Sequence, residues 1–291
     1  MSNTITLLVS DHAQKVSHAC RTAFFQGSIT DRAYPRAGDV LTAAVSEPVV
    51  ATGGPKALSV AFAGTHAWCN EKMVLSDELS DGMALPDFFA SGAFDRALDI
   101  YTEKSGASDR RAVASMWSLY YFSSLTIPYL VARVLDDQVL PVAFDQMKVA
   151  LAEDGLPRTF GVATPGDWQK ADDSDVFATL APLMQGHLRE VVSYLKSVGG
   201  IAPKLAWNNA LVYIDYALRA SGIEPLNAQA DALIGSKSLP DGTPNPFFDC
   251  LRHEEEDGAR VCRRKICCLR YLLPGVPSCG SLCALPSQRN Q

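Results

Sequence analysis

The residues between Arg111 and Arg133, AVASMWSLYYFSSLTIPYLVA, carry no charged side chain. A run of that length matches the roughly 20 apolar residues a helix needs to cross a bilayer. Its content points elsewhere: four serines, Thr126, three tyrosines and Pro128 dilute the hydropathy, and such groups weaken a membrane-span signal. The stretch is expected to be a core helix of a soluble protein, with Asp109 capping its start and Pro128 kinking or ending it. A chain of 291 residues with 47% hydrophobic content has the material to bury such a helix, as one large domain or two modest ones.

Around this helix the chain alternates periods. Residues 84–104 space Phe89, Phe94, Leu98 and Tyr101 at near-helical intervals. Met147, Val149 and Leu151 alternate, Asp154-Gly155 turns, and Phe160 and Val162 alternate again, which predicts a β-hairpin over 147–163. From Asp175 to Val198 a broad apolar face predicts a helix stopped by Gly199-Gly200. A further helix is expected over 205–222. Residues 1–86 carry turn signals and short apolar runs and are read as irregular, and 237–258 as a polar, loop-rich stretch. These elements predict an α+β fold: a predominantly helical body (1–240) with a small antiparallel sheet, and an irregular C-terminal segment (241–291). No internal repeat is visible.

Charge excludes some functions. With 26 basic and 32 acidic residues the net charge is −6, so nucleic acid is not expected as a partner. The dense basic run is Arg260, Arg263, Arg264, Lys265 and Arg270. No G-x-G-x-x-G follows a strand pattern, and no P-loop or G-x-S-x-G occurs, so no nucleotide, flavin or serine-hydrolase site is visible. His66, His187 and His253 lack zinc or triad spacing, and His187 lies within a helix face, where packing is the expected role. The N-terminal apolar run is too short for a secretory h-region and lacks a cationic lead, so a cytoplasmic location is expected. No transmembrane segment is expected; peripheral membrane contact stays open.

The basic run surrounds four of the eight cysteines: Cys267, Cys268, Cys279 and Cys283. In a reducing compartment clustered thiols are expected to ligate metal rather than pair as disulfides. Zn²⁺ takes four thiolates, usually from two C-x₂₋₄-C knuckles. Cys279-x₃-Cys283 fits that pattern; adjacent Cys267-Cys268 fits it poorly. Ligands spread over the wider rhomb of a [2Fe–2S] centre suit the pair better. The spacing leans toward iron–sulfur and leaves a structural zinc knot as the alternative. Cys20, Cys69 and Cys250 are expected to be small apolar residues.

Cys267-Cys268, ten residues (Leu269 to Ser278) and then Cys279 resemble the C-terminal signature of the FhuF-type ferric siderophore reductases, as do Arg263-Arg264 before the pair and CCLRYLLPG after it. The family's last spacing is two residues; here three separate Cys279 from Cys283, which makes Cys262 a conceivable substitute ligand. SMWSLYYFSSLTIPYL, the hairpin, Trp207-Asn208-Asn209 and Asn245-Pro246-Phe247 extend the resemblance over roughly 88–285. It implies a [2Fe–2S] cluster on Cys267, Cys268, Cys279 and Cys283, and one-electron reduction of a ferric siderophore, usually a hydroxamate, to release Fe²⁺. Electrons would come from an external donor: reduced flavin, a flavoprotein or a ferredoxin. Arg263, Arg264, Lys265 and Arg270 would favour the reduced cluster, whose place is expected near the surface. Trp207 and Asn209 either line the siderophore pocket or serve as core anchor and buried hydrogen-bonding group. The alternative to an enzyme is a binding or sensor protein whose tail holds a structural zinc knot or a regulatory cluster.

Overall fold

The computed structural model describes residues 57–171, 175–221, 223–256 and 258–289. Cys20 and most of the stretch read as irregular lie outside them. Helices and strands are numbered in chain order. Between residues 57 and 86 the chain forms a short helix α1 (Cys69–Lys72) and two short strands, β1 (Met73–Leu75) and β2 (Met83–Ala84). The helical pattern of 84–104 resolves into α2 (Leu85–Ala90) and α3 (Ala93–Ser105), separated at Gly92 (φ 75).

The uncharged stretch forms the middle of α4 (Arg110–Leu135). Asp109 caps it as expected, its side chain accepting from the Arg111 N–H at 2.9 Å. Pro128 lies inside α4 and does not end it. Every residue from Leu125 to Arg133 is buried, so packing on all sides outweighs the one backbone bond that Pro removes. Among the described residues no helix is long and apolar enough to cross a membrane.

The hairpin stands where alternation put it. After the short strand β3 (Gln138–Val139) come β4 (Lys148–Leu151) and β5 (Pro157–Val162), pairing antiparallel with Val149 opposite Phe160. The sheet runs β1-β5-β4-β2, so β5 also takes β1 as a parallel neighbour. Gly155 turns the hairpin at φ 81, where a Cβ would collide with the Ala97 carbonyl oxygen. Its own carbonyl accepts from Trp117 Nε1 at 3.0 Å, which ties the hairpin tip to α4. The strand β6 (Asp167–Trp168) pairs with β3.

The second predicted helix is α5 (Val176–Leu183), a π-helical turn (Met184–Leu188) and α6 (Arg189–Ser197) in succession. Then come α7 (Pro203–Ala220) and α8 (Glu224–Gly235). α7 packs along α4 as the main helix pair. The loop-rich reading of 237–258 is corrected at its end: β7 (Leu251–Glu256) pairs antiparallel with β8 (Ala259–Arg264). The two strands flank Asp257-Gly258, a two-residue hairpin signal. The segment beyond residue 240 packs onto the body: Asn245 donates to the Leu233 and Ser236 carbonyls at 2.7 and 2.8 Å, and Phe247, Leu251 and Leu273 join the core.

His187 has a packing role. Its ring is fully buried in the π-helical turn, within 2.8 Å of the Val142 carbonyl and 2.7 Å of the Tyr121 hydroxyl. Nδ1–H donates to Val142, so Nε2 accepts from Tyr121. Burial lowers its pKa to about 4. A histidine depressed in the folded state binds its proton more readily when unfolded, so its contribution is complete above pH 6.5 and is lost as pH falls toward 4. Stability relative to a His187→Gln variant is expected to drop by roughly 1.4 kcal/mol per pH unit in that window, about 3 kcal/mol in all. Chemical denaturation of both proteins between pH 7 and 4 measures this; a pH-independent difference contradicts it.

Candidate metal centre

The four tail cysteines are brought together from two short segments. Cys267 and Cys268 follow β8. Cys279 and Cys283 bracket a single 3₁₀ turn, Gly280–Leu282, closed by the Cys283 N–H on the Gly280 carbonyl at 3.0 Å. The three-residue spacing therefore makes one tight turn, with Gly280 at φ 55. Cys268, Cys279 and Cys283 are buried and Cys267 is half-buried. The Cys268 and Cys279 sulfurs lie 3.5 Å apart; burial first, and then the nearby Cys268 and Cys283 thiols, push up Cys267. The expectation of a site near the surface narrows to one edge, at Cys267. Nearby Tyr271 is 48% exposed.

The backbone also faces these sulfurs. Leu269 is left-handed (φ 62), a conformation that costs a non-glycine residue about 1 kcal/mol or more. It directs the Leu269 N–H at Cys267 Sγ, 3.4 Å away, and the Arg270 N–H favours the Cys268 thiolate. Successive N–H groups turned to one side form a concavity for anions. The Cys268 thiol is held below its ordinary range first by its hydrogen bond with Cys279, then by Arg264 and Arg270 against burial. Cys279 is pushed up by the same bond and by burial.

Arg264 is the side chain that organises the site. It is 1% exposed, and no carboxylate pairs with it among the described contacts. Nη1 donates to Asn208 Oδ1 at 2.8 Å and Asn209 Oδ1 at 2.6 Å, both on α7. Nε is buried without a hydrogen-bond partner. Asn209 Nδ2 in turn reaches Ser115 Oγ and Ser118 Oγ on α4 at 3.1 and 2.9 Å, and Ser115 Oγ donates to the Cys268 carbonyl at 2.7 Å. The two central helices are thus wired to the cysteine pair. Asn208 donates to the Cys250 carbonyl. A buried guanidinium is costly without an anion, and four thiolates around a metal cluster supply one. The residues present therefore fit a thiolate-ligated group.

The other expected residues separate. Arg270 is buried beside Cys268. Arg263 faces away from α7 and clamps Glu254 Oε2 and the Ser281 carbonyl, each at 2.7 Å. Lys265 pairs with Asp249. Within the basic run, Arg264 and Arg270 are buried and face thiols, whereas Arg263 and Lys265 are engaged by acidic partners. Trp207 packs edge-on against Phe247 and lines an open cleft of about 340 Å³ with Arg189, Lys196 and Pro246. Asn209 is buried in the network, away from that cleft. Cys262, the conceivable substitute ligand, faces Asp215, its Sγ 4.0 Å from Oδ2. Cys69 and Cys250 are buried, and burial pushes Cys69 up to about 12. Ser115, Ser118 and Asn208 were not anticipated, since their partners lie far away in sequence. Among the described residues, the grouping of three or more ligating atoms within 4.8 Å of one another is Asp215, His253 and Cys262; no three tail sulfurs draw together so closely.

The family model of the ferric iron reductase FhuF-like transporters matches residues 115–261, about half the chain. That range contains Ser115, Ser118, Asn208 and Asn209 and stops short of the tail cysteines. The chain is also similar to a ferric siderophore reductase of Escherichia coli (strain K12), 27% identical over 183 residues, which cover 59% of this chain and 65% of that protein.

Removing the amide that carries Arg264 tests the wiring. Asn209→Ala strands a charged donor and two hydroxyls, and is expected to cost about 2–3 kcal/mol. Denaturant unfolding measures it; a loss no larger than that of an exposed-site control such as Lys104→Ala contradicts the network's role.

Proposed function

Because the chain belongs to the family of FhuF-like ferric iron reductase transporters, we propose that it reduces ferric siderophores of the hydroxamate class by one electron, releasing Fe²⁺, and that Cys267, Cys268, Cys279 and Cys283 hold a [2Fe–2S] cluster for this purpose. The observation that carries the reading is the buried Arg264 guanidinium, facing clustered thiols with no carboxylate partner among the described residues. Bound there, a [2Fe–2S] cluster supplies a one-electron carrier whose negative charge grows on reduction.

The chain's residues set the conditions for that electron. Arg264 and Arg270 place fixed positive charge beside the thiolates, and the Leu269 and Arg270 N–H groups hydrogen-bond sulfur. Both effects favour the more negative state and raise the potential. Burial of three of the thiols excludes water from most of the site, and the Cys267 edge is the approach for donor and acceptor. An external reduced flavin, flavoprotein or ferredoxin would dock there. The substrate is a hard Fe³⁺ held by oxygen donors, which grip Fe²⁺ far less tightly, so reduction releases the metal. The cleft beside Trp207, bordered by Arg189 and Lys196, is the place where that side chain can meet a ligand. Reduced thiols accord with a cytoplasmic setting.

A structural zinc knot is the second reading. A tetrahedral tetrathiolate with Zn–S near 2.3 Å places its sulfurs about 3.8 Å apart throughout. The tail sulfurs approach that separation at Cys268 and Cys279 but not as a group of three, a spread that favours the two-iron rhomb.

The purified protein is expected to be red-brown and to bleach with dithionite, and serine at each of the four positions is expected to abolish the colour. Chemically reduced protein, freed of reductant and mixed with a ferric hydroxamate and a ferrous chelator, is expected to reoxidise as Fe²⁺ is trapped, about one electron per cluster. A cluster that stays reduced before every ferric siderophore offered refutes the reductase reading. Arg264→Gln is expected to lower the midpoint potential, and Arg264→Lys to restore part of it; equal potentials in potentiometric titration rule out the role given to Arg264.

A further inference from the structure

The β7–β8 hairpin sets His253 directly opposite Cys262. Opposed residues in an antiparallel pair share a face, and this face lies on α7, where Asp215 Oδ2 is 3.3 Å from His253 Nε2 and 4.0 Å from Cys262 Sγ. All three ligating atoms lie within 4.8 Å of one another. Asp215 is 1% exposed, and the His253 side chain is nine-tenths buried.

The His253 Nε2 atom does not behave as a packed histidine should. It is buried and close to a carboxylate oxygen, yet meets no partner in hydrogen-bond geometry. His187, by contrast, satisfies both of its ring nitrogens. Asp215 is already fixed through its other oxygen, Oδ1, by Arg219 Nε at 3.0 Å. Arg219 also holds Asp231, whose Oδ1 lies 3.9 Å from His253 Nδ1. One oxygen, one nitrogen and one sulfur therefore lie within 4.8 Å of one another, with carboxylate and guanidinium behind them. Ligating imidazoles usually have such a backing carboxylate.

We propose that Asp215, His253 and Cys262 form a second metal site, separate from the tail cysteines, for a divalent transition-metal ion. Tetrahedral zinc would hold its nitrogen and oxygen ligands about 3.3 Å apart and its sulfur and oxygen ligands about 3.6 Å apart, against the 3.3 and 4.0 Å present. A carboxylate and a thiolate neutralise a divalent charge, so the filled site is neutral and its burial carries little penalty. Mixed nitrogen, oxygen and sulfur donors suit Zn²⁺ best among common ions and exclude Mg²⁺ and Ca²⁺. Three protein ligands leave a fourth position for water or a small ligand. On binding, the Cys262 S–H proton is released to solvent.

The test uses the full-length, cluster-loaded protein, incubated with Zn²⁺ and desalted. One zinc per chain is expected in addition to iron. Zinc-edge X-ray absorption is expected to show one sulfur at about 2.3 Å and nitrogen or oxygen neighbours at about 2.0–2.2 Å. Cys262→Ser and His253→Gln are expected to lose the zinc while keeping iron content and visible spectrum. Wild-type protein that retains no zinc leaves an Asp–His pair only and overturns the proposal. A four-sulfur zinc shell overturns it equally, by placing the ion in the tail. The absorption measurement needs no variant, so it decides the matter even if a substitution unfolds the chain.

Discussion

A positive charge that water cannot reach governs this structure. Arg264 lies between the helix pair and the cysteine tail, and its neighbours among the described residues are amide oxygens and thiols rather than carboxylates. Amide dipoles solvate a guanidinium only in part. The missing compensation has to be anionic, and four thiols are what the chain places nearby. Ser115, Ser118 and Asn209 are small or polar in the middle of an otherwise apolar interface because that interface must pass hydrogen bonds from one helix to the next and on to the Cys268 carbonyl. Two of the four serines that spoil the central helix as a membrane span, Ser115 and Ser118, also attach it to the tail.

The tail has little regular structure, and its order is borrowed. Arg263 pins Ser281 to the hairpin, Lys204 holds the Pro246 and Phe248 carbonyls, and Asn245 satisfies the end of α8. Each is a side chain bonding to backbone, the usual means of fixing irregular chain in a folded interior. The thiols are thereby positioned by contacts of the chain itself.

Much of this was legible in the sequence wherever the cause was local. Alternation with Asp154-Gly155 located the hairpin, Asp109 located the start of α4, and the apolar face of 175–198 located its helix. The π-helical turn at Met184–Leu188 left no mark, because a turn with one extra residue keeps the same apolar composition. Strand β7 was hidden by its acidic residues: Glu254, Glu255 and Glu256 lie in a two-stranded ribbon with a solvated side, so hydropathy does not alternate cleanly. Pro128 does not end α4, because burial around it holds the helix through that position. Trp207 and Asn209 could have been separated at once, since two helical residues of that spacing point roughly 200° apart. The partners of Ser115 and Asn208 were not legible, because contacts between residues so distant in the chain exist only after folding.

Strand β8 has a mechanical consequence. Cys262 and Arg264 stand two residues apart on its α7-facing side, and Arg263 holds the opposite side to Glu254 and Ser281. Two residues of extended chain span about 6.8 Å and scarcely stretch. The strand acts as a short rigid lever anchored at its middle. Because the spacing is fixed, the place of Cys262 along the strand and that of the guanidinium are set together.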